Sequence, residues 1–454
     1  MTVHDPDVRP ANLPPAASDP TEAGGILRID LAAIEANWKM LAGMTVPVEC
    51  AAVVKANAYG CGLEPVTRTL SRAGCRTFFV ADVAEGRRVR ALAPDAAIYV
   101  LNGLMPGSAP ALAADYLRPV INSTTELAEW DAFVAIKNWR GGAALHVDTG
   151  MNRLGITVDE AAAIAPRMQS ENHGFTLLMS HLACAEIPDH PMNDRQIRLF
   201  REIRLLYRGV SSSLANSSGI FLGGSAYCDL VRPGVALYGV NPTPGKKNPM
   251  RPVVDLKGRI IQVRPVNKGE TVGYGAAFTA ARTSRVAVVA VGYADGFLRS
   301  AGAARAKPAA EVIVAGKRCP IAGRVSMDLL AVDVTDLAEG AARRGDLATL
   351  IGDGISVDEL AAGMGTIGYE VLTNLGQRYH RVYKGSDSGP ASRALRHAAS
   401  RPWAPYPGQA LNERYPRHGS SRNKLHLPEL RCGLRPLARQ MRGLWRMEHH
   451  FRGE

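Results

Sequence analysis

The sequence contains no CxxC pair, and its seven cysteines (Cys50, Cys61, Cys75, Cys184, Cys228, Cys319 and Cys432) are odd in number and irregularly spaced. That excludes a disulfide framework and leaves a zinc site nothing to build on, so no metal is expected. No apolar run approaches the roughly 18 residues of a membrane helix, so no membrane partner is expected. The opening MTVHDPDVRPANLPPAASDP has acids and prolines where a secretory leader would have an apolar stretch. These absences together predict a soluble cytoplasmic protein. No internal repeat is visible, which removes solenoids and propellers.

Hydrophobic residues make up 46% and charged residues 21% of the 454 residues, a balance that supports a large core. The length exceeds one ordinary domain and predicts two or three. The formal charge of +12 raises nucleic acid as a partner. The excess is local, however: from Gly385 onward, 13 Lys and Arg stand against 5 Asp and Glu. The body is close to neutral, so the overall charge says little about its ligand. The tail carries Trp403 and Trp445 but has weak periodicity. It reads as a flexible basic extension rather than a nucleic-acid module.

Along the chain, residues 1–24 are rich in Pro, Ala and Asp and predict a disordered lead. Short apolar runs follow at 26–31, 50–54, 77–80, 98–101, 117–121, 143–147, 175–179 and 235–238. Amphipathic stretches at 31–41, 64–73, 84–92 and 159–168 lie between them. Fully apolar strands alternating with helices indicate a parallel α/β sheet, and about eight such units over residues 25–248 indicate a (β/α)8 barrel. After NPTPGKKNP the texture becomes β-rich, predicting a mostly β domain over 249–384 and a tail over 385–454.

The chemistry is concentrated where apolar strands end. In AAVVKANAYGCG (51–62), Lys55 directly follows a fully apolar strand, although lysine is among the residues least often buried. Barrel active sites sit at the C-terminal ends of the strands. Desolvation there lowers a lysine pKa and makes the amine a better Schiff-base former. The bland reading is a lysine that snorkels to water or pairs with an acid. Other polar residues occupy the same kind of position: Arg153 in HVDTGMNRLG, His181 in MSHLACAE, Asn216 and Ser217 in LANSSG, and Arg232 in VRPGVALYG. Singly, each reads as a core histidine or a surface ion-pair partner. Jointly they form a constellation at one barrel mouth.

These motifs, with VGYGAAF, VGYADG, GRVSMD and GYEVLTNLGQRYHRVY, resemble the alanine racemase family from about residue 27 to 383. The resemblance implies a pyridoxal 5'-phosphate enzyme that interconverts L- and D-alanine, the latter a peptidoglycan precursor. It implies Lys55 as the Schiff-base lysine, with Tyr59, Asn216, Ser217, Gly234, Val235 and Tyr369 around the phosphate. Arg232 would face the pyridine nitrogen, with His181 behind it. Arginine stays protonated and gives that nitrogen no proton, which favours clean racemisation over transamination. Lys55 and Tyr274 would be the two acid/base groups on opposite faces of the substrate. Tyr274 would come from the second subunit of a homodimer whose active sites are shared. Arg153, Met327 and Asp328 would lie near the substrate carboxylate, and Tyr293 at the entrance. One position departs from the family: two residues before DTG, where many relatives carry a lysine that orients the arginine matching Arg153, stands His146. A neutral histidine could still accept from Arg153.

Other classes would leave other signatures. A broader racemase for serine or basic amino acids would need a wider pocket. A non-catalytic cofactor carrier shares the barrel but lacks the β domain that holds Tyr274 and Met327–Asp328. A decarboxylase or aldolase would release carbon dioxide or an aldehyde.

Overall fold

The structure, a computed structural model, describes residues 19–169, 174–302 and 309–385. The expected basic tail lies outside the described residues from 386 onward, as does most of the expected N-terminal lead. Residues 19–24 are described and pinned: Arg259 donates to the Pro20 carbonyl at 2.8 Å, and its backbone N–H donates to Gly24 at 2.7 Å.

The first strand, β1 (Gly25–Asp30), is not part of the barrel. The barrel strands are β2 (Glu49–Cys50) and β3 (Ala52–Val53), β4 (Thr77–Val80), β5 (Ala97–Val100), β6 (Arg118–Ile121), β7 (Ala143–His146), β8 (Phe175–Met179), β9 (Ser211–Ser213) and β10 (Leu230–Val231). Strands β3 to β9 form one parallel sheet in sequence order. β10 closes the ring. Asp229 and Arg232 donate to Ser212 and Ala215 on the β9 side, and Ala51 and Val53 donate to Val231 and Pro233 on the other. β4 and β7 are buried at every position, as strands covered on both faces must be. Side-chain caps start the intervening helices: Asp30 accepts from Ala33 N–H, Asp82 from Glu85, Ser123 from Glu126, and Thr157–Glu160 forms a capping box. Each such cap stabilises its helix by about 1 kcal/mol.

Two expectations change. Residues 235–238 form a 3-10 turn (Val235–Tyr238), not a strand, and the eighth barrel position falls to Leu230–Val231. Pro233 has no N–H to give the ladder, and the chain turns at Gly234. The run at 26–31 is likewise not the first barrel strand. It joins a second sheet built on β11 (Val254–Val266), pairing antiparallel with β11 and parallel with the last strand among the described residues, His380–Lys384. That sheet also holds Ser284–Val289, Glu311–Val314, Lys317–Pro320, Leu330–Asp333 and Leu347–Ile351, so the β-rich reading of the C-terminal part stands. Two short helices, Val357–Met364 and Gly368–Thr373, bring the chain back to the barrel mouth. One continuous apolar core includes residues of both sheets.

Candidate active site

The C-terminal ends of the barrel strands open into one cleft of about 550 Å³. Lys55 follows β3, Asn102 follows β5, His146 ends β7, His181 follows β8, Asn216 and Ser217 follow β9, and Arg232 follows β10. All of these line the cleft, with Arg153, Tyr59, Gly234, Val235 and Tyr369. Tyr369 arrives from the helix Gly368–Thr373 and approaches the Tyr59 ring at 6.2 Å. Tyr59 in turn stacks on the buried Tyr238 at 4.6 Å.

Lys55 sits on an unusual turn. Ala56, Asn57, Ala58 and Tyr59 have φ values of 54°, 53°, 52° and 51°, four consecutive non-glycine residues in the left-handed region. Each costs about 1–2 kcal/mol relative to a right-handed turn. Burial lowers the Lys55 pKa, the Arg153 charge lowers it further, and Glu85 opposes both. The amine is therefore closer to its nucleophilic neutral form than a surface lysine.

Arg232 is buried and held from within the chain. It donates to the Ser180 carbonyl at 2.6 Å and to Ser213 Oγ, and approaches His181 Nδ1 at 3.4 Å. Burial brings its pKa down to about 10, which still leaves it charged at neutrality. His181 is pushed well below the usual histidine range by burial and then by Arg232. His146 falls to about 4 for the same two reasons. Its tautomer is legible from its partner. Asn122 spends its amide N–H groups on the Val120 and Leu101 carbonyls, so Asn122 Oδ1 accepts from His146 Nδ1 at 2.8 Å. Nε2 is then the ring's acceptor.

The loops at Ser217 and Gly234 meet just beyond Arg232. Ser217 Oγ accepts from the N–H groups of Gly234 (2.9 Å) and Ala236 (3.2 Å), at the start of the 3-10 turn. A Cβ at Gly234 would meet Tyr59 Oη at 2.4 Å, so only glycine leaves that hydroxyl its place. The lining includes Lys55, Arg153 and Arg232 and no carboxylate. Among the described residues no acid forms an ion pair with Lys55 or Arg153. A cleft with an amine nucleophile, unpaired cations, small residues and no carboxylate suits a phosphorylated aldehyde. The residues present therefore fit pyridoxal phosphate.

Tyr274, Tyr293, Met327 and Asp328 do not line this cleft. Tyr274 is 71% exposed on a turn between Gly273 and Gly275. Met327 is 54% exposed, and Asp328 accepts from Arg378 at 2.7 Å. Tyr293 and Ala294 donate to the carbonyls of Ser326 and Met327 at 3.0 and 2.9 Å, which zips the two loops together.

The sequence reading missed Asn102 and Asn122, although both directly follow apolar strands, the position that revealed Lys55 and His181. It also missed Glu85 and Arg381, which act on the Lys55 turn through its backbone and leave no side-chain motif.

The fold and site define a lysine-bearing barrel enzyme for an anionic cofactor, joined to a β domain. The model for "Alanine racemase, N-terminal domain" matches residues 29–242, and that for "Alanine racemase, C-terminal domain" matches 253–383. An alanine racemase of Methylobacterium sp. (strain 4-46) is 52% identical over 360 residues, covering 79% of this chain and 98% of that protein. The structure of alanine racemase from Bartonella henselae with covalently bound pyridoxal phosphate is 37% identical, with a TM-score of 0.75 over 80% of this chain and 99% of that one. The biosynthetic alanine racemase of Pseudomonas aeruginosa is 36% identical, with a TM-score of 0.74 over 80% of this chain and 99% of that one. The chain belongs to the alanine racemase family.

Proposed function

We propose that the protein interconverts L- and D-alanine as a pyridoxal phosphate-dependent racemase, working in the cytoplasm as a homodimer with shared sites. The observation that carries this is the meeting of Lys55, Arg153, Arg232 and the Ser217 and Gly234 loops in one acid-free cleft. Residues 25–248, apart from β1, would form most of the cofactor-holding part, and residues 249–384 would add Tyr369 to it and carry the face turned to a second copy.

When bound, pyridoxal phosphate supplies an electron sink that makes the substrate's α-proton removable. Lys55 would hold it covalently. Asn216, Ser217, Gly234, Val235, Tyr59 and Tyr369 would surround its phosphate. Arg232, with His181 behind it, would give the ring nitrogen an N–H contact without surrendering a proton. Arg153 would take the substrate carboxylate. From a second copy, Tyr274 would face Lys55 across the substrate, Met327 and Asp328 would approach the carboxylate, and Tyr293 would narrow the entrance. Lys55 and Tyr274 would then remove and return the proton on opposite faces. Enantiomers have equal free energy, so one site serves both directions. Net flux, toward D-alanine for peptidoglycan precursors or away from it, follows the supply of the two forms.

The test is a visible spectrum of purified protein with added pyridoxal phosphate, followed by chiral analysis of alanine, serine, lysine and arginine. The expected result is a new visible band and racemisation of alanine above the others. No band and no change of handedness in any amino acid would overturn the proposal.

A further inference from the structure

The left-handed turn Ala56–Tyr59 needs an explanation, because backbone strain of this kind persists only where the surroundings over-determine it. Two side chains from elsewhere in the chain hydrogen-bond the backbone of the turn. Glu85, at the start of the helix after β4, accepts from Asn57 N–H at 3.0 Å through Oε1 and from Ala81 N–H at 2.9 Å through Oε2. Arg381, on the last strand of the second sheet, donates through Nη1 to the Gly60 carbonyl at 2.6 Å. Its Nη2 donates to the carbonyls of Leu375 and Gly376, both at 3.1 Å. Gly60 closes the turn with φ 77°, and a Cβ there would meet the Leu372 carbonyl at 2.1 Å. The end of the Lys55 turn and the segment 372–376 are thus in backbone contact, with Arg381 tying one to the other.

Among the described residues no carboxylate forms an ion pair with Arg381. A guanidinium in this position acts through where its N–H groups point, and Nη1 and Nη2 point at main-chain oxygens, with Tyr383 beside them. The clamp is itself anchored. Gly376 N–H donates to the Asp295 carbonyl at 2.9 Å, and Arg378 bridges the carboxylates of Asp295 and Asp328 at 2.6 and 2.7 Å.

We propose that Arg381, together with Glu85, is a positioning residue for Lys55: by holding Gly60 it fixes the strained turn and so the direction of the amine at the barrel mouth. The β sheet thereby sets the geometry of the reactive group on the barrel. This rests on the reading of Lys55 as the residue that bonds pyridoxal phosphate.

The experiment compares the full chain with Arg381→Met and Arg381→Lys. Three quantities are read: thermal unfolding, amide exchange of the peptide spanning 55–62, and the rate at which Lys55 bonds added pyridoxal phosphate, followed by visible absorbance. In Arg381→Met, exchange at 56–60 should accelerate while the rest of the barrel stays protected. The bonding rate should fall about tenfold to a hundredfold, as misplacement of a reacting group does. Arg381→Lys should recover part of both, since an ammonium keeps the charge but lacks the spread fork that reaches Gly60 and the 375–376 carbonyls at once. A folded Arg381→Met with unchanged exchange at 56–60 and an unchanged bonding rate would overturn the inference. If Arg381→Met does not fold, Arg381→Lys is judged by the same two outcomes. If wild-type protein takes up no pyridoxal phosphate, the reading of Lys55 has failed, and amide exchange alone still decides the clamp.

Discussion

The barrel mouth and the exposed face of the second sheet are finished to different degrees. At the mouth, one chain supplies the restraints: Ser180 and Ser213 hold Arg232, Asn122 fixes His146, and Ser217 gathers two N–H groups. On the face, Tyr274, Tyr293 and Met327 are exposed, the last two on loops tied together by the Asp295–Arg378–Asp328 bridge. These exposed large side chains are what the proposed second copy would cover. The contrast teaches that a single chain completes the part of the site that holds a cofactor and turns the proposed second acid/base group outward.

The largest effect that would sharpen this contrast is at the mouth. Lys55→Ala should reduce racemisation by more than about a thousandfold in both directions and remove the visible band of bound cofactor, as read by spectrum and chiral assay. Tyr274→Phe, on the face, should keep the band and lower kcat/KM by about a hundredfold or more, equally in both directions because the equilibrium constant between enantiomers is one. The two groups would be told apart by isotope: in Tyr274→Phe, solvent exchange of the α-deuterium should survive for one enantiomer, through Lys55, and be lost for the other. Equal loss of exchange and of cofactor would remove Tyr274 from its role.

Mixing inactive Lys55→Ala and Tyr274→Ala chains breaks or confirms the division of labour between copies. If Tyr274 serves a second copy, exchange of subunits should restore about a quarter of wild-type activity, because half of the dimers then carry one intact site. No recovery after verified exchange would place both groups in one chain's site.

The smallest effect concerns stability. His146 has a folded-state pKa of about 4, below its ordinary 6.5, because burial and Arg232 disfavour the charged ring. Its contribution is therefore complete above about pH 6.5 and lost as pH falls through about 4, on the order of 3 kcal/mol in all. Denaturant midpoints measured from pH 7 to 4 should fall less in His146→Gln than in wild type.

Much of this was readable in the residues. The barrel follows from apolar runs such as TFFV, whose every position is buried, and the mouth from polar residues that end those runs. The first strand was misread because GILRID is short and apolar like the others. Yet Arg28 and Asp30 alternate with the buried Leu27 and Ile29, the period of a strand with only one face covered. That alternation was the available signal. The Lys55 turn was not readable: alanine, asparagine and tyrosine do not ask for a left-handed backbone, and what imposes it comes from Glu85 and from Arg381, more than 300 positions away in the chain.

The placement of β1 has a consequence for how the protein is made. Ile29 pairs with Val254 on one side and Tyr383 on the other, so β1 waits for its second neighbour until synthesis has passed Lys384. Until then the row of N–H and C=O groups on that flank is open to any other extended chain. Ending translation a few codons before Lys384 would leave that flank permanently unpaired, and the shortened product should precipitate rather than accumulate as a smaller soluble enzyme.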